Sequence, residues 1–223
     1  MAQTYGTTTL PTQSARHSRY DQLFDGQLET LERRGAPKNL LELLAVKKTA
    51  VLTSAANVRM RHDRPDVVPF IPVIPPSLLS SVQQMQLVVS FTGKTGTTDF
   101  NPKMLIPEVG AMVPSTPYYL VRPTDGDTIC GMPPSVAADG IANQGRWVMN
   151  LYEIIALCTH TSVLTRHGVV AAKSRYRLVA PPGEKAVPAI YLNGPYKEPL
   201  LRWHFLNRSN SQVGTPAYRN RVL

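Results

Sequence analysis

Proline constrains this chain more than any other residue. Twenty prolines stand among 223 residues, about twice the usual share. They fall singly at Pro72 and in pairs at Pro75-Pro76, Pro133-Pro134 and Pro181-Pro182. Each removes a backbone donor and restricts φ, so a helix interior or a central strand is interrupted wherever one falls. With 43% of residues hydrophobic and 17% charged, the prolines punctuate a folded chain. Its length suffices to bury one core, as a single domain over residues 20–223 preceded by an arm.

Residues 1–19 are rich in Thr, Ser and Gln with little apolar content, which predicts a flexible N-terminal arm. Tyr20, Leu23, Phe24, Leu28 and Leu31 then repeat at helical spacing to Arg34, where Gly35 and Pro37 stop the helix. Asn39 is placed to cap a second helix through Val46, packed into the body. The stretch from Val67 to Ile74 is β-prone but broken by proline, hence an edge strand or an extended crossing. A short helix from Pro76 to Met85, a strand over Leu87–Phe91 closed by the Gly93-Lys94-Thr95-Gly96 turn, and a long loop over residues 99–117 follow. Tyr118–Val121 is a further strand, and Asp125-Gly126-Asp127 is a turn.

Around position 150 the pattern is sharpest. Asn150 can accept from the first helical turn, and Glu153 stands three residues on, the spacing of a capping box. Leu151, Ile154, Ile155, Leu157 and Cys158 make the helix apolar on most sides, so it is buried. Strands over Val169–Val179, Ala186–Leu192 and Leu200–Leu206 follow, joined by Pro181-Pro182-Gly183 and Asn193-Gly194-Pro195, with a polar, basic tail after Asn207. Strands joined by short turns predict an antiparallel sheet, and with the helices an α+β domain.

Several familiar chemistries are excluded. Gly93-Lys94-Thr95 lacks the earlier glycine of a phosphate loop, position 88 being valine, and turn residues follow it where a helix is required. No Gly-x-Ser-x-Gly elbow, dinucleotide fingerprint or nucleophile, base and orienting group can be assembled. Asp125 and Asp127 flank a glycine as turn residues do. Of five histidines, none pair at the i, i+4 spacing of a zinc helix. His160, His167 and His204 have no acid near them in sequence, so neither metal nor cofactor is expected. Cys130 and Cys158 are far apart with no Cys-x-x-Cys. They are read as two buried free thiols, a disulfide being the alternative. No apolar run of 18 residues and no secretory leader are seen, which points to the cytoplasm and away from a membrane.

Charge is unevenly distributed. From His160 to Leu223 there are ten Lys/Arg and two acids, a balance of +8, whereas residues 1–159 carry 14 and 13. Such a skew attracts anions. Alternation places Arg175 and Arg177 on one face of a strand with Tyr176 on the other, and Arg202 and His204 opposite Trp203 and Phe205. An anion-binding face of Arg175, Arg177, Arg202 and Arg208, flanked by His160, Arg166, His167, His204 and Asn207, is the expected site. The same pattern also fits an amphipathic sheet with those polar residues solvated.

Val68-Pro69-Phe70, Gly93-Lys94 before a loop, Tyr119-Leu120-Val121, Glu153 to His160, Ser174-Arg175, Val187-Pro188-Ala189-Ile190, and Trp203 followed by Asn207 occur in that order. Together they resemble a family of bacterial, largely actinobacterial, proteins defined as a domain of unknown function. The resemblance covers roughly residues 38–223, and the basic Tyr218-Arg219-Asn220-Arg221 departs from the small Gly/Ser-containing end of that family. It implies an intact domain and carries no activity with it. The leading expectation is a non-enzymatic binding protein whose basic sheet face contacts nucleic acid or another polyanion. A module holding a small anion with Arg175, His160 and Asn207 is the second expectation. The third is a structural subunit whose arm and tail reach neighbours in an oligomer or complex.

Overall fold

The computed structural model describes residues 13–56, 58, 68–99, 101–106, 113–177 and 184–223. In chain order the helices are α1 (Gln13–Arg33), α2 (Lys38–Ala45), α3 (Lys48–Ala55), α4 (Ser81–Met85), α5 (Pro134–Asn143) and α6 (Leu151–His160). The strands are β1 (Phe70–Val73), β2 (Thr97–Thr98), β3 (Leu105–Ile106), β4 (Tyr118–Val121), β5 (Trp147–Val148), β6 (Gly168–Val170), β7 (Arg175–Tyr176), β8 (Ala186–Asn193), β9 (Glu198–Phe205), β10 (Val213–Gly214), β11 (Ala217–Tyr218) and β12 (Asn220–Val222). Pairings are mostly antiparallel, the exceptions being β10 with β6 and β2 with β9. The chain is α+β.

Helices and sheets alternate in layers around α6. A three-stranded sheet, ordered β1-β4-β12, is covered on both faces. Phe70, Tyr119 and Val121 pack with Tyr20, Phe24 and Leu31 of α1 and with the buried side chains of α2 and α3. Ile71, Val73, Tyr118 and Leu120 face the opposite way, onto Ile154, Leu157 and the rest of α6. Double coverage explains why β1 and β4 are apolar throughout. Beyond α6, Val169, Ile190 and Leu201 of the larger sheet complete the same core. The outer face of that sheet carries a satellite cluster of Val170, Val187, Ala189, Leu206 and Val213.

The capping signals around α6 are met in full. Asn150 Oδ1 accepts from the Glu153 amide at 3.0 Å, and Glu153 Oε2 accepts from the Asn150 amide at 2.8 Å. Of the two expectations for the proline-broken segment the edge strand holds: Pro72 lies opposite Tyr119 in β4, and among the described residues β1 has no strand on its other side. Gly35, with φ of 88°, ends the turn after α1.

Other expectations are corrected. α1 begins at Gln13, so the chain is already helical over 13–19, and residues 1–12 lie outside the described residues. Pro37 is the N-cap of α2, Asn39 falls in its first turn, and only Leu40 and Leu44 are buried. Residues 76–78 are turn, and α4 starts after Ser80, which forms a capping box with Gln83. Leu87–Phe91 is not a strand: a single Val89–Thr95 bridge closes the Gly93 turn. The long strand expected over Val169–Val179 is divided into β6 and β7, with 178–183 outside the described residues. Helices α3 and α5 were not anticipated.

The polar, basic tail after Asn207 is built into the fold: Val213–Tyr218 are buried, and β10, β11 and β12 join three different sheets. Arg221 donates to Glu153 through Nε at 3.0 Å and Nη2 at 2.6 Å, which ties the chain end to the first turn of α6.

Candidate functional site

One face of α1, the end of α6 and the loop around Ser90 enclose a cavity of about 610 Å³. That is within the range of small-molecule sites, roughly 300–1,000 Å³. From α1 come Gln22, Gly26 and Thr30, and Arg34 follows in the turn that closes it; spaced four apart, they share one stripe, with Leu23 and Gln27 beside them. From the other wall come His160, Thr161, Ser162 and Thr165, and apolar surface is added by Phe91, Leu164 and Leu192.

Three polar groups give the cavity its chemistry. Gln27 is 4% exposed, and its Nε2 donates to the Phe70 carbonyl at 2.8 Å. Because that carbonyl can only accept, the amide orientation is determined, and Oε1 is left buried with no partner among the described residues. Arg34 Nη1 donates to the carbonyls of Leu87 at 2.6 Å and Thr159 at 2.8 Å. Among the described residues Arg34 meets no carboxylate, and burial, with Arg33 nearby, lowers its pKa. It remains a cation, since guanidinium does not deprotonate in a protein. His160 is half-buried at the end of α6; desolvation and the Arg34 charge lower its pKa, so its imidazole is neutral at pH 7.

Gly26 reinforces the reading. Glycine inside a helix costs about 1 kcal/mol relative to alanine, yet a Cβ at Gly26 would meet nothing within 4 Å. No backbone reason requires it, and its effect is to leave the cavity wall open.

The expected anion-binding residues do not converge. His160 is the one member that lines this cavity. Arg175 Nη1 is spent on the carbonyls of Ala172 and Ser174. Arg166 pairs with Asp125 at 2.7 Å, Arg202 approaches Asp99 at 3.8 Å, and Arg208 pairs with Glu184. His204 shares a hydrogen bond with Tyr191 and sits 3.1 Å from the Arg208 carbonyl. Arg177 and Asn207 are exposed and do not line the cavity, and His167 is buried elsewhere, near Asp127 and Cys130. Asp99, Asp125 and Glu153, from the nearly neutral first part of the chain, thus meet three of the arginines that make the last part basic. The reading of Asp125-Gly126-Asp127 as a turn holds, with Asp125 Oδ1 accepting from the Asp127 amide. Cys130 and Cys158 are both free.

Sequence reasoning missed Gln27, Thr30 and Arg34. The available signal was a polar stripe at four-residue spacing with a glycine in it, directly beside the apolar stripe of α1.

Among the described residues no helix is long and apolar enough to cross a membrane. Neither the curated proteins nor the solved structures contain a match to this chain. A family model does match, over residues 33–203, which reaches from the end of α1 almost to the end of β9. The chain therefore belongs to the family of unknown function DUF5701.

Proposed function

We propose that this protein binds a small organic anion in the cavity between α1 and α6. The observation that carries the reading is a pair of groups on one cavity wall: the Gln27 Oε1 acceptor, which has no hydrogen-bond partner among the described residues, and the Arg34 cation, which meets only carbonyls there. A ligand with an acidic group and a nearby N–H or O–H would satisfy both. The hydroxyls of Thr30, Thr161 and Thr165 and the neutral His160 would take further polar atoms, and Leu23, Leu164 and Leu192 its hydrocarbon part. Arg175 and Asn207, assigned to such an anion from the sequence, have no place in this version.

The polyanion reading rests on the charge skew, +8 over residues 160–223 out of a net +9. It is weakened because Arg166, Arg202, Arg208 and Arg221 each face a carboxylate, which lowers the local potential that phosphates would feel.

The test is a thermal-shift and calorimetric screen with mono- and dicarboxylates and phosphate monoesters, run on the wild type and on Gly26→Leu. Leucine at 26 projects into the cavity from the α1 wall while improving the helix, so the variant should keep or gain stability and lose binding. Arg175→Gln should bind as the wild type does. Ligand-dependent shifts that persist in Gly26→Leu would overturn the reading. So would an absence of any shift, alongside RNA or DNA binding that falls steeply between 50 and 200 mM salt; that result would restore the polyanion reading.

A further inference from the structure

His167 lies between the short turn Val163–Thr165 and β6, and the turn Asp127–Ile129 brings Asp127 and Cys130 against it. A ring nitrogen of His167, a carboxylate oxygen of Asp127 and Cys130 Sγ all lie within 4.8 Å of one another. His167 is 6% exposed. Its Nδ1 stands 2.8 Å from the Gly168 carbonyl, which can only accept, so Nδ1 carries the proton and Nε2 the lone pair. That Nε2 is buried and has no hydrogen-bond partner among the described residues. Metal-bound histidines are held in this way, with one nitrogen donating to a backbone carbonyl and the other bare.

The surrounding packing holds the three groups together. Gly126 has φ of 83°, and a Cβ there would stand 2.5 Å from the Thr215 amide nitrogen. At Gly214 a Cβ would stand 2.9 Å from the imidazole Cε1 of His167. Two glycines therefore let the turn, the ring and β10 close on one point. Arg166, next to His167, is held by Asp125, so its charge does not stand unopposed beside the cluster.

We propose that Asp127, Cys130 and His167 form a binding site for a zinc-class divalent cation. One sulfur, one imidazole and one carboxylate suit Zn²⁺ or Co²⁺; magnesium and calcium take oxygen ligands and are poorly matched to a thiolate. Three protein ligands leave a fourth position for water or an external group, as in open zinc sites. Coordination converts the Cys130 thiol to thiolate and releases its proton to solvent. A cysteine nucleophile paired with His167 is the competing use of these residues. It is disfavoured because the Cys130 thiol donates to the Gly126 carbonyl at 3.8 Å, while His167 Nε2 accepts no hydrogen bond from it. None of the three residues lines the α1–α6 cavity, so this site stands or falls independently of the proposed anion.

The experiment titrates Co²⁺ into the full, chelator-treated chain, followed by Zn²⁺. One equivalent of Co²⁺ should give a thiolate-to-cobalt charge-transfer band and four-coordinate ligand-field bands, which Zn²⁺ abolishes by displacement. Cys130→Ser should lose the charge-transfer band, His167→Gln should weaken affinity by at least an order of magnitude, and His160→Gln should leave both unchanged. Because His167→Gln could disturb the fold, a second measurement uses wild type alone: Zn²⁺ should protect Cys130 from alkylation. No charge-transfer band in folded wild type, a band that survives Cys130→Ser, or alkylation unaffected by Zn²⁺ would each overturn the proposal.

Discussion

Glu153→Gln should be among the most damaging isosteric changes this chain can undergo. Glu153 is fully buried and accepts four hydrogen bonds: from the Asn150 amide at 2.8 Å, the Tyr118 hydroxyl at 3.1 Å, and Arg221 Nε and Nη2 at 3.0 and 2.6 Å. A glutamine offers one oxygen and one amide group. If its oxygen keeps Asn150, its NH₂ faces the Arg221 guanidinium; if it is turned round, its NH₂ faces the Asn150 N–H. Either way donor meets donor, and the charge that balances Arg221 is gone. Removing one partner of a buried pair costs about 3–5 kcal/mol. The Arg221 side chain is 19% exposed and can regain some water, which places the expected loss near the lower end, about 3 kcal/mol. Urea unfolding should report this as a lower midpoint with an unchanged slope. A cycle with Arg221→Met should give a coupling of about 2 kcal/mol, since either change alone already breaks the pair. A loss below about 1 kcal/mol, or equal cost of Arg221→Met in both backgrounds, would refute the claim that the chain end is held through this carboxylate.

His160 should make the fold acid-labile. Its folded pKa is lowered from 6.5 to about 3, so below pH 6.5 the unfolded chain binds a proton that the native state does not, and stability falls as pH falls. At pH 5 the loss is at most about 2 kcal/mol; His160→Gln should flatten this dependence, and an equally steep profile in the variant would contradict it. Gly126→Ala combines left-handed backbone with a clash against Thr215 and should cost about 2–5 kcal/mol. Gly35→Ala shares the positive φ but has open space around it, so about 1–2 kcal/mol is expected; similar melting shifts for the two would show that the contact is immaterial. Arg208→Met removes an exposed pair with Glu184 and should change stability by less than about 1 kcal/mol, in contrast to Arg221→Met in the same assay.

Local signals survived wherever a residue's role was settled by its near neighbours. Asn150 and Glu153 cap α6 because a capping box is a three-residue geometry. Pro72 kept β1 at an edge because a missing donor has the same consequence in any sheet. The apolar circumference of α6 announced its burial. Short elements with weak periodicity failed instead: Leu87–Phe91 is β-prone but finds only one bridge, and α3 and α5 carry no cap or stripe strong enough to mark them. At the candidate sites, Gln27 and His167 each have one polar atom satisfied and one without a partner among the described residues. Such an imbalance exists only once Phe70 and Gly168 have been brought beside them.

By itself the sequence determined an α+β chain with a buried central helix and proline-limited strands, because these follow from spacing, caps and donor counts along the backbone; that the two thiols stay unlinked came from the structure. Tertiary structure alone decided where the charge lies. Ten basic residues after His160 read as a polyanion face in one dimension; in three, Asp99, Asp125 and Glu153 come from the other part of the chain to meet Arg202, Arg166 and Arg221. Electrostatic energy depends on distance through space rather than along the chain. Among the described residues, the same packing leaves Gln27 Oε1 at the cavity and His167 Nε2 without a hydrogen-bond partner, and Arg34 without a carboxylate.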